Sequence, residues 1–239
     1  EYLYVWVDGV YPKAGPKDEK MALLVVVGLN RRGEKEVLAI AEGYRESAES
    51  WREVFRSLKK RGAKFLGMVI TDGMDGVRKA LRDVYPQARE QRCWVHKMRN
   101  IVDKVPRQAE EEIHERLREM YHARSQKEAL QLKASFIGDY QARFPKAVAS
   151  LQEAGARLFS YFEFPKQHWK SIKSTNVIES MFATVKLRTA ATRRIPKRES
   201  ATYIDYNSLR RETMIVLFEK MRLNPDYFDM LKAFKKMTT

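Results

Sequence analysis

A single cysteine, Cys93, stands in 239 residues, so no intramolecular disulfide framework is available and the chain fits a reducing compartment. Long hydrophobic runs are missing too. The longest, Met21 to Leu29, spans 9 residues and cannot cross a bilayer, so no membrane partner is expected. There is no P-loop, no G-x-G-x-x-G fingerprint and no serine nucleophile elbow. Internal repeats and low-complexity stretches are absent as well. Nothing at the start has the form of a secretory signal, because Glu1 opens directly onto an aromatic, strand-like run. A first residue other than Met suggests a fragment or a processed product. The expected setting is cytoplasmic.

Positive charge, by contrast, is abundant. The chain carries 46 Lys and Arg against 31 Asp and Glu, a net charge of +15, on a globular composition with 44% apolar residues. The excess is uneven. Residues 166–239 hold 16 basic and 7 acidic side chains, a net of +9, while residues 1–95 carry +4 and residues 96–165 carry +2. Such a concentration favours a polyanion bound on one side. A lysine-rich solubility surface is the plainer alternative.

Hydrophobic periodicity divides the chain. Tyr2 to Val7 is apolar at every position, as a central buried strand would be; Met21 to Gly28 repeats the pattern, and Glu36 to Ala41 follows after a turn at Gly33. Trp51, Val54, Phe55 and Leu58 mark one amphipathic helix that ends at Gly62, and Val77, Ala80, Leu81 and Val84 mark another, stopped at Tyr85-Pro86. Phe65 to Thr71 reads as a fourth strand and Ala88 to Cys93 as a short fifth. Three strands in succession, then alternation with helices, predict an α/β fold with a mixed sheet covered by helices. From about residue 95 to 165 only helical stripes appear, among them Ile113, Leu117, Met120 and Tyr121. A last helix, with Ile178, Met181, Phe182 and Val185 on its apolar face, follows Ser174-Thr-Asn176.

Three carboxylates stand where chemistry is possible. Asp8 and Asp72 each lie directly after a buried strand and before Gly. Two such groups at one sheet edge would supply hard oxygen ligands for Mg²⁺, although each Asp-Gly also suits a plain turn. Asp75 sits where a helix begins, and N-capping accounts for it. Asn176 and Glu179 have the spacing of a capping box, yet Asn176, Glu179, Ala183 and Lys186 also share the face opposite the apolar one. Cys93 and His96 have C-x-x-H spacing with no second pair to complete a tetrahedral zinc site.

Taken in order, Asp8-Gly-Val-Tyr, Trp51 with Leu58 and Arg61-Gly62, Thr71-Asp-Gly-Met-Asp-Gly76, the string Q-R-C-W-V-H-K-M-R-N-I over 91–101 and Ser174-Thr-Asn-Val-Ile-Glu-Ser180 closely resemble the Mutator-type transposases of bacterial insertion sequences. The resemblance covers residues 1 to about 200. It implies a ribonuclease-H-like mixed five-stranded sheet flanked by helices, with an all-helical insertion before the last catalytic helix. On that pattern residues 1–96 form the first part of the core and 97–165 the insertion. Residues 166–200 carry the core helix with the Glu and a basic loop, and 201–239 form a divergent helical tail. An Asp-Asp-Glu triad of Asp8, Asp72 and Glu179 would hold two Mg²⁺ or Mn²⁺ ions and serve strand cleavage and 3′-hydroxyl strand transfer. The C-x-x-H pair, Cys93 and His96, would support the site. Lys97, Arg99, Lys186, Arg188, Arg193, Arg194, Lys197 and Arg198 would contact double-stranded DNA, both the terminal inverted repeats and the target, with the protein acting as a homo-oligomer. The alternative is a truncated, non-catalytic DNA-binding remnant. A simple ribonuclease-H-type nuclease is disfavoured by the helical insertion.

Overall fold

The computed structural model describes residues 1–10, 21–44 and 47–180. Five strands form where apolar and β-branched residues run together: β1 (Tyr2–Val10), β2 (Met21–Asn30), β3 (Lys35–Tyr44), β4 (Leu66–Thr71) and β5 (Arg89–Arg92). They make one sheet in the order β3-β2-β1-β4-β5. β2 runs antiparallel to both β1 and β3. At the start of β1, the Tyr2 N–H donates to the carbonyl of Phe65 (3.0 Å), the residue that precedes β4, so β1 and β4 set off in the same direction. The sheet is therefore mixed, and the α/β, ribonuclease-H-like fold class expected from the sequence is the one observed.

β1 is the central strand. Val5 and Val7 on one face and Tyr4 and Trp6 on the other are all buried, at most 2% exposed. The Val5 and Val7 face, with Leu24 and Val26 of β2, is covered by two helices, α1 (Ala48–Lys60) and α2 (Asp75–Val84). Their apolar stripes, Trp51, Val54, Phe55, Leu58 and Val77, Ala80, Leu81, Val84, are the ones read from the sequence. The Ser47 side chain accepts the Ser50 N–H (3.1 Å) and caps α1. Tyr85 closes the core, with its ring edge-on to Phe55 at 6.0 Å and its hydroxyl donating to the Ala63 carbonyl (2.7 Å). At the outer strand of the described sheet, the β2–β3 ladder passes over Leu38, whose carbonyl instead accepts from Arg61 Nη2 (2.6 Å).

The chain divides into two compact units. One holds residues 1–69 and 74–89 with the chain from 176, and the other holds residues 70–73 and 90–175. Within the second, every element after β5 is helical: α3 (Trp94–Val102), α4 (Glu110–Tyr121), α5 (Gln126–Tyr140), α6 (Pro145–Ala154), α7 (Trp169–Ile172) and short 3-10 turns at 107–109, 155–158, 160–163 and 166–168. Trp94 anchors this core, edge-on to Tyr121 (5.9 Å) and Phe159 (5.7 Å). The buried Gln91 amide donates to the carbonyls of Arg92 (2.7 Å) and Leu158 (3.1 Å) and accepts the Tyr161 N–H (2.8 Å), tying β5 to the turns after α6. No helix among the described residues is long and apolar enough to cross a membrane.

Phe55 is fully buried between α1, α2 and the sheet. Phe55→Ala is expected to lower unfolding stability by about 3–5 kcal/mol, because the cavity left between two helices and a sheet cannot collapse fully. Urea unfolding followed by tryptophan fluorescence measures it.

Candidate active site

Asp8 lies within β1, not after it as the sequence suggests, because the ladder with β2 continues to Val10; burial nevertheless ends there, with Val7 buried and Asp8 half-buried. Its Cα pairs with Val25 across the ladder, and its carboxylate accepts the Gly9 N–H (2.9 Å). Asp72 is the first residue after β4, a strand buried at all six positions, and is likewise half-buried. The Thr71 hydroxyl donates to the Asp72 carboxylate (3.4 Å) and accepts the Gly73 N–H (3.1 Å). Gly73 has φ +85°, and a Cβ there would stand 1.5 Å from Arg92 Nη1. The guanidinium of Arg92, 6% exposed, thus lies across a position that only glycine can fill. Burial pulls the Arg92 pKa down, and the nearby Asp72 charge is the largest influence opposing it. Arg92 Nε has no hydrogen-bond partner among the described residues. Sequence reading missed Arg92 in this role. Its only trace was the Arg of the Q-R-C string.

Two capping readings change. Asp75 is the first residue of α2, not its cap; Met74 holds the cap position, its side chain making no capping hydrogen bond, and Asp75 instead pairs with Arg78 one turn on. Helical residues begin at Asn176 itself, so the cap position falls on Thr175 and Glu179 stands fourth in the helix. The capping-box spacing is then lost, because a box needs its carboxylate at the third helical position. Glu179 is exposed on residues 176–180. Among the described residues no group of three or more His, Cys, Asp or Glu gathers as a metal-ion cluster.

Of the C-x-x-H residues, Cys93 is fully buried in the second unit and His96 is half-buried. Cys93 receives the Thr175 N–H and the Thr175 hydroxyl at its sulfur, both at 3.4 Å, and His96 Nδ1 lies 3.4 Å from the same hydroxyl. A hydroxyl has one proton to give. With it directed at sulfur, its oxygen is left to accept from the imidazole N–H. Burial pushes the Cys93 thiol up, but hydrogen bonds from His96 and Thr175 and the charge of His96 more than offset it, leaving it below the usual thiol value.

Lys97 is 2% exposed; its ammonium donates to the Ser150 carbonyl (2.9 Å) and pairs with Glu153 (2.7 Å), so it holds α3 against α6 inside the unit. Arg99 is exposed on α3. Lys173, which drew no notice in the sequence, is 6% exposed. Its ammonium donates to the Tyr121 carbonyl (2.5 Å) and faces the rings of Tyr121 and Tyr161 at 4.5 Å each. Burial lowers its pKa to about 8. Lys186, Arg188, Arg193, Arg194, Lys197 and Arg198 lie outside the described residues.

The model of the family described as "Transposase, Mutator family" matches residues 1–210. Similar curated proteins include the transposase for insertion sequence element IS6120 of Mycolicibacterium smegmatis, 41% identical over 193 residues, which make up 81% of this chain and 60% of the relative. The transposase for element IST2 of Acidithiobacillus ferrooxidans is 37% identical over 82% of this chain and 66% of its own length. That for ISRM5 of Rhizobium meliloti is 32% identical, over 83% and 50%. The chain therefore spans between a half and two thirds of the length of these curated relatives.

Gly73→Ala is expected to cost about 2 kcal/mol or more, from the left-handed backbone and the collision with Arg92 together. Gly73→Ala with Arg92→Ala should cost less than the sum of the two single changes, since the collision is then gone; urea unfolding of the four proteins tests this. Glu153→Gln leaves the buried Lys97 ammonium without its counter-charge and should cost about 1–2 kcal/mol, a value discounted because Glu153 is itself half exposed. Lys97→Met should cost less, because Glu153 keeps Arg157 at 2.9 Å. Burial raises the Glu153 pKa, but Lys97 and Arg157 outweigh it and hold it down to about 2 from the usual 4.5. The stability it contributes is present above pH 4.5 and fades as pH falls towards 2, a slope that Glu153→Gln should remove from an acid-unfolding series.

Proposed function

We propose that this chain, which belongs to the Mutator family of transposases, carries the catalytic core that cuts and joins DNA strands at the ends of an insertion sequence. The observation that carries the reading is the pairing of β1 with β4, two neighbouring strands that leave Asp8 and Asp72 half-buried where their burial ends. Glu179, no longer explained as part of a capping box, is the third carboxylate. The donor set suits Mg²⁺ or Mn²⁺, since all three groups offer hard, charged oxygens and none is a soft sulfur ligand. Asp8, Asp72 and Glu179 would hold the ions. When bound, a pair of such ions supplies Lewis-acid activation of the attacking oxygen and stabilisation of the leaving 3′ oxygen.

The chain's own residues do the rest. Arg92 holds a positive charge beside Asp72 that does not depend on any ion. Thr71 donates to the Asp72 carboxylate and limits the orientations it can take. Water is the nucleophile for cleavage at the element end, and the freed 3′-hydroxyl attacks target DNA in the joining step. No covalent protein–DNA intermediate is needed, so no serine or tyrosine nucleophile is assigned. Arg99, Lys186, Arg188, Arg193, Arg194, Lys197 and Arg198 contact backbone phosphates, which gives affinity without sequence choice. Lys97 leaves this set because its ammonium is engaged inside the helical unit. The protein acts as a homo-oligomer on DNA, in the cytoplasm.

Asp72→Asn keeps the side-chain shape but loses the charge that holds a divalent ion. It should abolish Mn²⁺-dependent nicking of an element-end duplex and leave DNA affinity equal or slightly higher. Arg193→Ala with Arg194→Ala should weaken binding to every sequence and reduce the slope of log K against log salt by roughly 2. Fluorescence anisotropy across a salt series, beside the nicking assay, separates the two effects. A parent chain that binds DNA without nicking it would instead identify a non-catalytic remnant.

A further inference from the structure

The carboxylate chemistry makes no use of the C-x-x-H motif, yet Cys93 is a junction between segments far apart in sequence. Its N–H donates to the Thr71 carbonyl (2.7 Å), one residue before Asp72. Its sulfur accepts both the N–H and the hydroxyl of Thr175, four residues before Glu179. The next residue, Trp94, donates its N–H to the Lys173 carbonyl (2.9 Å). Lys173 is itself fixed, through its ammonium on the Tyr121 carbonyl and among the aromatic rings. Thr71, Cys93 and Thr175 are each 0% exposed, and Ser174 is 4% exposed.

Burial this complete excludes contact between nucleic acid and either Cys93 or Thr175 in the folded chain. A zinc role fails on donor count, since one thiol and one imidazole make half of a tetrahedral set and the sulfur is already engaged twice. What the arrangement does supply is fixation. The 173–175 turn is held at its first residue by the Trp94 N–H and at its last by sulfur and imidazole, immediately before the chain enters residues 176–180.

We propose that Cys93, His96 and Thr175 form a latch that fixes the end of β4 and the point where the chain enters the Glu179 helix, with the Thr175 hydroxyl as its positioning group. The proposal rests on Asp8, Asp72 and Glu179 being the reacting carboxylate set. Two of those three then depend on one buried residue, Asp72 through the Cys93 N–H on the Thr71 carbonyl and Glu179 through Thr175 on the Cys93 sulfur. Supporting groups of this kind affect rate by about 10–100-fold without touching substrate, because small misplacements of reacting groups are costly.

Thr175→Val keeps the branched shape and removes the hydroxyl, whereas Thr175→Ser keeps the hydroxyl. The expected result for Thr175→Val is a folded protein with nicking slowed about 10–100-fold at saturating DNA and Mn²⁺ and DNA affinity unchanged, and recovery in Thr175→Ser. Because Cys93 is the only thiol, its alkylation by iodoacetamide reads the latch directly, without DNA or metal. At about pH 10, above the ordinary thiol value, losing the Thr175 hydrogen bond no longer limits the thiolate fraction, and alkylation should be faster in Thr175→Val than in the parent and in Thr175→Ser. Parental nicking and parental alkylation in Thr175→Val would overturn the latch, as would weakened DNA binding with the saturated rate intact. Thr175→Ala, smaller and so free of overpacking, is the second variant. The same split supports the latch, and parental behaviour in the folded protein overturns it. If Asp72→Asn nicks as fast as the parent, the carboxylate reading has failed. The alkylation comparison then decides the latch alone, faster labelling supporting it and equal labelling overturning it.

Discussion

A strand buried on both faces has no wet side on which to place a charge, and β1 imposes that constraint on the whole sheet. Its interior positions are occupied by Leu3, Tyr4, Val5, Trp6 and Val7, all buried, and β4 is buried along its full length. An unpaired carboxylate within either strand would lose its hydration with nothing to replace it. Acidic groups are therefore kept out of the fully buried stretches, and Asp8, still within β1, and Asp72, just after β4, occur where burial drops from complete to partial. The positions of these two carboxylates follow from the packing of the hydrophobic strands as much as from any chemistry they perform. The covering helices α1 and α2 meet the same demand on one face.

The helical unit obeys a different rule. It buries polar groups, and several have specific partners: the Gln91 amide on three backbone groups, Lys97 on Ser150 and Glu153, Lys173 on Tyr121, Thr175 on Cys93; Arg92 Nε, Trp94 Nε1 and the Tyr161 hydroxyl have none among the described residues. Such networks punish small errors, because an interior of low dielectric strengthens a satisfied bond and penalises an orphaned group alike. The unit is thereby suited to hold a few backbone points in fixed places.

The sheet was readable in the sequence because hydrophobic periodicity is a local signal, and β1, α1 and α2 announced themselves through Tyr2 to Val7, Trp51 to Leu58 and Val77 to Val84. Helix starts were less so. Asp75 and Asn176 had the chemistry of caps, but each turned out to be the first helical residue, a displacement of one position that composition cannot resolve. Lys97 looked like a phosphate contact from its place in a basic string, yet its partners Ser150 and Glu153 lie more than fifty residues away. Thr175 and Arg92 were passed over for the same reason. What gives them meaning is a contact across 82 residues for one and a glycine folded back beneath a guanidinium for the other, and neither leaves a period in the chain.

The residue skipped in β3 has an effect on how copies of this chain can meet. Leu38 stands outside the ladder, and Arg61 occupies its carbonyl, so the outer strand of the described sheet is broken midway and its acceptor is already taken. An incoming strand from another molecule would have to displace a guanidinium and span a kink before it could zip along β3. Strand addition is thereby opposed at the middle of β3, where an arginine already holds the acceptor.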